Sequence, residues 1–271
     1  MNIEQTIFLG IIQGLTEFLP ISSSGHLIIF QHLIGLRNPK LLLDIALHTG
    51  TLLAVLIFFW ADITVMIAES TGFLIKAFRE RGHIKEIKIS PHVALTFWIL
   101  VGTIPTAFLG VVFNSLFQEM FGSARLVGFM LIFTGVILGA SRLIPDHSLK
   151  KEEVGLISAI AVGLAQGAAI IPGIRSGATI ICGLFCGLNR DMAGRFSFLL
   201  AIPAIIGASV LKFDMAEIAE IGFIPFLTGI LVSFFVGLIA LKITMDMLRK
   251  GNLYYFSPYC LLAGIVVLLI N

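Results

Sequence analysis

The sequence predicts an all-α polytopic membrane protein, with six transmembrane helices and two re-entrant helical hairpins arranged as inverted-topology repeats. Three observations predict it. Of the 271 residues, 58% are hydrophobic and 13% are charged; that charged share is about half the ~25% of soluble domains. Apolar runs of ~20 residues, the length that crosses a bilayer, recur along the chain. A polar pattern broken by Gly and Pro occurs twice, at Gln13–Gly25 and Gln166–Gly177. A broken hydrophobic segment in each half of a membrane protein points to a binding site at the repeat interface.

The elements follow in order. Region 6–34 is apolar but interrupted, and each half is too short to span, so it reads as a re-entrant hairpin. Irregular backbone survives at membrane depth only where protein or a watery cavity satisfies it, so the hairpin belongs among the spans. The first span is 41–60. In 61–92, Ile67, Phe73, Leu74, Ile75 and Phe78 alternate with charges, which suggests an amphipathic helix on the cytoplasmic membrane surface; a solvated loop is the plainer alternative. Spans 93–113 and 125–143 follow, then a second interrupted hairpin at 154–188, then spans 193–212, 222–245 and 253–270. The chain reads as one integral membrane domain, 1–271, with repeat halves of about 1–145 and 150–271.

Positive charge sets the orientation. Lys76, Arg79, Arg81, Lys85 and Lys88 place 61–92 in the cytoplasm, and Arg142, Lys150, Lys151, Arg249 and Lys250 lie on the same side. The 114–124 loop has no Lys or Arg and 213–221 carries Asp214, Glu217 and Glu220, so both fall outside. Arg37 and Lys40 run against this scheme. Both termini then face outside, and the hairpins dip in from opposite sides. Arg190, Arg195, Trp60, Tyr254 and Tyr255 read as membrane-edge anchors. The first residues carry no charged region followed by a cleavage site, so Met1 is expected to begin the mature chain. Cys182, Cys186 and Cys260 form no C-x-x-C, and the first two share a helix face as small apolar side chains.

The chemistry concentrates in the two broken motifs. Glu17 is a carboxylate inside an apolar segment, which makes it a functional candidate by default. Gln13 lies one helical turn before it, on the same face. Two roles fit Glu17: general acid/base, or ligand to a divalent cation that bridges to phosphate. Pro20 ends one half-helix, and Ser22, Ser23 and Ser24 with Gly25 begin the next, whose exposed N–H groups attract anions. Each Ser is a helix cap, a phosphate ligand or a nucleophile. His26 is a candidate general acid or a nucleophile itself. His48 is weaker, because Asp44 one turn earlier offers a simple partner. His32, His83, His92 and His147 read as interfacial or solvated.

In the second motif, Arg175 is suited to phosphate because it is planar, always charged and multidentate. Its surroundings, Gly173, Ser176, Gly177 and Thr179, form a Gly-rich break whose N–H groups can face an anion. The structural alternative is an Arg175–Glu17 pair. No nucleotide-binding loop or H-E-x-x-H is present, and nothing suggests nucleic-acid binding or an organic cofactor.

At these residues the chain resembles the undecaprenyl-diphosphate phosphatase family of the bacitracin-resistance type. The resemblance runs through Gln13-Gly-Leu-Thr-Glu17-Phe-Leu-Pro-Ile-Ser-Ser-Ser-Gly-His26, Leu47-His-Thr-Gly-Thr-Leu-Leu-Ala-Val55, Gly102-Thr-Ile-Pro105, Arg175-Ser-Gly-Ala-Thr-Ile180 and Phe196-Ser-Phe-Leu-Leu-Ala-Ile-Pro203. It implies six spans with two inverted re-entrant hairpins. It also implies removal of the terminal phosphate from undecaprenyl diphosphate at the outer face of the bacterial plasma (inner) membrane, which recycles the cell-wall lipid carrier. Carried over, Gln13 and Glu17 fill the family's (E/Q)-x-x-x-E pattern, Ser22 and Ser23 the paired serines, and His26 the histidine; Arg175, Ser176 and Thr179 match the second motif. One residue departs: the family reads Pro-Gly-x-Ser-Arg-Ser-Gly, and this chain reads Pro172-Gly-Ile-Arg-Ser-Gly177, without the Ser before Arg.

The expected activity is therefore a lipid diphosphatase. Catalysis is assigned to Glu17, Ser23, His26 and Arg175, with Ser23 as nucleophile and direct attack by His26 as the alternative. Substrate binding is assigned to Gln13, Ser22, Ser24, Gly25, Gly173, Ser176, Gly177 and Thr179. Glu17 is also the expected ligand of Mg²⁺ or Ca²⁺. The expected partners are a polyprenyl diphosphate and the membrane, with a homodimer left open. The competing function is a polyprenyl-phosphate or other anion carrier without hydrolysis.

Overall fold

The computed structural model describes residues 2–36, 41–79, 89–113, 123–173, 176–212 and 222–270. Arg37, Lys40, Arg81, Lys85, Lys88, the 213–221 connection, most of the 114–124 loop and Arg175 lie outside them.

Among the described residues the chain forms eleven α-helices. The first interrupted region becomes α1 (Ile3–Phe18) and α2 (Ser23–Leu33). Then come α3 (Leu41–Phe58), α4 (Trp60–Arg79), α5 (Pro91–Val112) and α6 (Ala124–Ala140). The second interrupted region becomes α7 (Leu156–Ala168) and α8 (Ser176–Phe185). It is followed by α9 (Arg190–Lys212), α10 (Phe223–Arg249) and α11 (Ser257–Ile270). Five helices among the described residues are long and apolar enough to cross a membrane, and α3 with α4 would make a sixth if the pair is one span. That pair bends by 73° at Phe59, a break that neither Pro nor Gly announces.

Large apolar side chains cover the outside of these helices. Ile104 is 68% exposed, Phe108 61%, Ile239 62% and Leu269 81%. Soluble proteins rarely present so much contiguous apolar surface, whereas lipid favours it. The interior holds a cluster around Phe18, Phe59 and Phe198. The Phe18 and Phe198 rings meet edge to face at 5.8 Å.

The two interrupted regions pack in exchange. Helix α1 lies against α10 in the second half, and α7 lies against α5 in the first. Both crossings depend on glycine, because helices without a hydrophobic driving force between them associate through close backbone packing at small residues. A Cβ on Gly14 would come 2.9 Å from Gly237 N and 2.9 Å from Ser233 O. A Cβ on Gly163 would run into the carbonyl of Gly102.

Helix α4 keeps Ile67, Leu74, Ile75 and Phe78 exposed and buries Met66. Ser70 Oγ donates to Thr96 Oγ1 at 3.2 Å and joins α4 to α5. Arg195 and Arg190 are more than edge anchors. Arg195 pairs with Asp62 at the start of α4, Arg190 with Asp146, and Arg249 with Asp191 at 2.7 Å. Arg142 stacks over Tyr254 at 5.3 Å. These pairs fasten α4, α9 and α10 together at one end of the bundle.

Candidate active site

Pro20, two residues past the end of α1, and Ser22 turn the chain into α2. Pro20 has no N–H to continue a helix. Ser22 takes φ 67°, a conformation rare for a residue with a side chain, and caps α2 by accepting from Gly25 N at 3.4 Å. Its Oγ also accepts from Gly173 N at 2.9 Å. One hydroxyl therefore ties the break in the first motif to the break in the second, 151 positions away. Gly173 has φ 104°, which favours glycine, and its carbonyl accepts from Thr134 Oγ1 at 2.6 Å. Gly177 packs so closely on Pro20 that a Cβ there would lie 2.6 Å from Pro20 Cβ. Gly25 has similar limits, since its Cβ would meet Val127 at 3.0 Å.

Below this junction lies a buried polar group. Glu17 Oε2 accepts from Ser23 Oγ at 2.7 Å and from Gln13 Nε2 at 2.8 Å. Gln13 and Ser23 are fully buried and Glu17 is 7% exposed. A carboxylate so placed needs donors to remain charged, and it has them. Among the described residues, Gln13 Oε1 is buried with no hydrogen-bond partner. Orphaned buried acceptors are rare and call for an explanation such as a bound ion.

His48 joins the same group. Its Nδ1 lies 2.6 Å from Gln13 Nε2 and 3.5 Å from Glu17 Oε2. Asp44, the partner that the sequence offers His48, accepts from Gln31 Nε2 at 2.8 Å. The signal was available in Leu47-His-Thr-Gly-Thr51, a second polar interruption of an apolar helix, but sequence spacing does not show that it faces Gln13.

His26 sits one turn into α2 and is 5% exposed. Its Nδ1 lies 2.7 Å from Ser22 O, and its Nε2 lies 2.7 Å from the phenol oxygen of Tyr259. Tyr259, on α11, has no counterpart in the sequence expectations. Ser24 lies beside Ser22, the two hydroxyls 3.5 Å apart. Thr179 is buried on α8, and Ser176 opens that helix. The structure thus brings together Gln13, Glu17, Ser22, Ser23, Ser24, Gly25, His26 and Gly173.

The profile of the family described as Bacitracin resistance protein BacA matches residues 6–266. The chain belongs to the BacA family. Among similar proteins, the undecaprenyl-diphosphatase of Desulfatibacillum aliphaticivorans is 44% identical over 270 residues, covering 98% of each chain. That of Halothermothrix orenii is 41% identical over 274 residues, covering 100% of this chain and 98% of its own. That of Methanobrevibacter smithii is 39% identical over 273 residues, covering 98% and 97%. In this BacA-family chain the acid, the hydroxyls and the imidazole meet where two helix breaks touch, buried but beside α11. A group built this way can deprotonate a hydroxyl, bind an oxyanion through helix-start N–H groups and take a proton from an attacking water.

Proposed function

We propose that this chain hydrolyses undecaprenyl diphosphate to undecaprenyl phosphate and inorganic phosphate. The observation that carries the reading is Ser23 Oγ hydrogen-bonded to Glu17 Oε2 at 2.7 Å where the two motifs meet. A carboxylate in that position is the adjacent general base that a serine nucleophile requires. Full-length likeness to proteins named undecaprenyl-diphosphatase supports the same substrate.

In this reading Ser23 attacks the terminal phosphorus as Glu17 takes its proton, and the bond to the bridging oxygen breaks so that undecaprenyl phosphate leaves. Water then attacks the phosphoserine as His26 Nε2 takes its proton, inorganic phosphate leaves, and Glu17 returns the proton to Ser23. The Ser22–Ser24 helix start and the Arg175 guanidinium hold the diphosphate, with Gly25, Gly173, Ser176, Gly177 and Thr179 lining it. Most of the rate comes from positioning and charge stabilisation, as in phosphoryl transfer generally. Glu17 and Gln13 Oε1 each offer oxygen to a hard cation, although the described residues hold no cluster of three ligating His, Cys, Asp or Glu side chains. They would hold Mg²⁺ or Ca²⁺, which would neutralise phosphate charge when bound.

The 6–34 and 154–188 regions act as re-entrant hairpins of opposite orientation in halves of about 1–145 and 150–271. The exchanged packing of α1 on α10 and of α7 on α5 supports that symmetry. The site opens to the extracytoplasmic side of the plasma membrane, and 61–92 lies on the cytoplasmic surface. The isoprenoid tail runs between helices toward lipid.

The test is phosphate release by the detergent-purified chain from undecaprenyl diphosphate, with and without Mg²⁺ or Ca²⁺. Release supports the hydrolase. Bound substrate that is never hydrolysed, by folded wild-type protein in either cation, would overturn it.

A further inference from the structure

His26 is held at both ring nitrogens. Nδ1 lies 2.7 Å from Ser22 O, a carbonyl that can only accept, so Nδ1 carries the hydrogen. In the neutral ring Nε2 is then the acceptor, and the Tyr259 phenol, 2.7 Å away, donates to it. The phenol ring also stacks on the imidazole, with centroids 5.7 Å apart and planes 14° from parallel. Tyr259 arrives from the last helix, 233 positions from His26 in sequence. The backbone beside it is fixed as well: Cys260 Sγ lies 3.6 Å from Pro20 O, at the turn into α2. His26 is buried, whereas Tyr259 is 46% exposed.

We propose that Tyr259 is a positioning residue for the phosphohydrolase reaction, an assignment that rests on the proposed function. Tyr259 holds the His26 ring in place by donating to Nε2, in the Nδ1–H tautomer that Ser22 O sets, and keeps Nε2 capped from the open side of the site. The arriving substrate displaces the phenol from Nε2. The freed Nε2 then faces the reacting oxygens with its lone pair available. The exchange moves one hydrogen bond and leaves every covalent bond intact.

The test compares wild type, Tyr259→Phe and Tyr259→Leu in detergent by steady-state phosphate release and by the side-chain nitrogen resonances of His26. Those resonances are assigned with His26→Gln. Tyr259→Phe keeps the stacked ring and removes only the hydroxyl, so it preserves the fold. Its kcat is expected to fall by about tenfold to a hundredfold, the scale of a residue that orients a functional histidine, with KM within about twofold. The His26 Nε2 resonance is expected to shift as its hydrogen bond is lost, with Nδ1 still protonated against Ser22 O. Tyr259→Leu is expected to lose at least as much. A wild-type kcat in Tyr259→Phe overturns the proposal, and so does a fall in kcat with an unchanged His26 Nε2 resonance. If wild type releases no phosphate, the hydrolase reading has failed on its own, and the Nε2 resonance still decides whether Tyr259 holds His26.

Discussion

Ser22 accepts a hydrogen bond from Gly173 N at 2.9 Å, across 151 positions of sequence, and so joins the two broken motifs. That bond converts two local helix interruptions into one site. Ser22→Ala removes it together with the α2 cap and leaves the Gly173 N–H buried and unpaired. The expected cost is about 1–3 kcal/mol, read as a lower midpoint of thermal unfolding in detergent. Ser22→Thr restores the hydroxyl but not the stability, because a β-branched residue at φ 67° is strained. A Ser22→Ala protein as stable as wild type would show that the junction is held elsewhere.

Glu17 and Ser23 are expected to act as one unit. Glu17→Gln keeps shape and hydrogen-bonding capacity but loses the base, and phosphate release is expected to fall about 10²–10⁴-fold. Ser23→Ala should fall at least as far. The double variant should lose little more than the worse single one, because residues that act together are not additive. Losses that multiply would mean that the two act in separate steps.

His48 should matter, but less. His48→Ala removes the imidazole beside Gln13 and Glu17 and is expected to lower kcat by about tenfold, well short of the Glu17→Gln loss. Asp44→Asn serves as the comparison, since Asp44 bonds Gln31 in the structure. Equal effects of the two substitutions would place His48 outside the site.

Helix contact at Gly14 gives a stability prediction independent of catalysis. Gly14→Ala drives a methyl against the backbone of Ser233 and Gly237. Overpacking of this kind costs about 1–3 kcal/mol. The same substitution at Gly72, where nothing lies within 4 Å, should leave the unfolding midpoint unchanged or raise it. Indistinguishable midpoints for the two variants would sink the close-packing account.

Much of this was legible in the residues. Long apolar runs mark helices whatever their neighbours are, so 93–113 corresponds to Pro91–Val112 and 125–143 to Ala124–Ala140. Pro20 and Pro172-Gly173 announced both interruptions, because each removes or redirects backbone hydrogen bonding locally. The 73° bend at Phe59 falls at the expected boundary between the 41–60 span and the 61–92 connection, although Phe58-Phe59-Trp60 contains no Pro or Gly. Within the site, Gln13, Glu17 and Ser23 were legible because they lie within one short segment. His48 and Tyr259 were not, because they reach the site from α3 and α11 through tertiary packing, to which periodicity is blind.

The most direct measurement is where phosphate goes during turnover. Wild-type protein is mixed with undecaprenyl diphosphate radiolabelled in its terminal phosphate, quenched in neutral denaturant, and the protein-bound label is tested for acid and alkali lability. Nucleophilic Ser23 predicts acid-stable, alkali-labile label that maps to Ser23 and disappears in Ser23→Ala. Acid-labile label on His26, or continued turnover by Ser23→Ala at the wild-type rate, would contradict it.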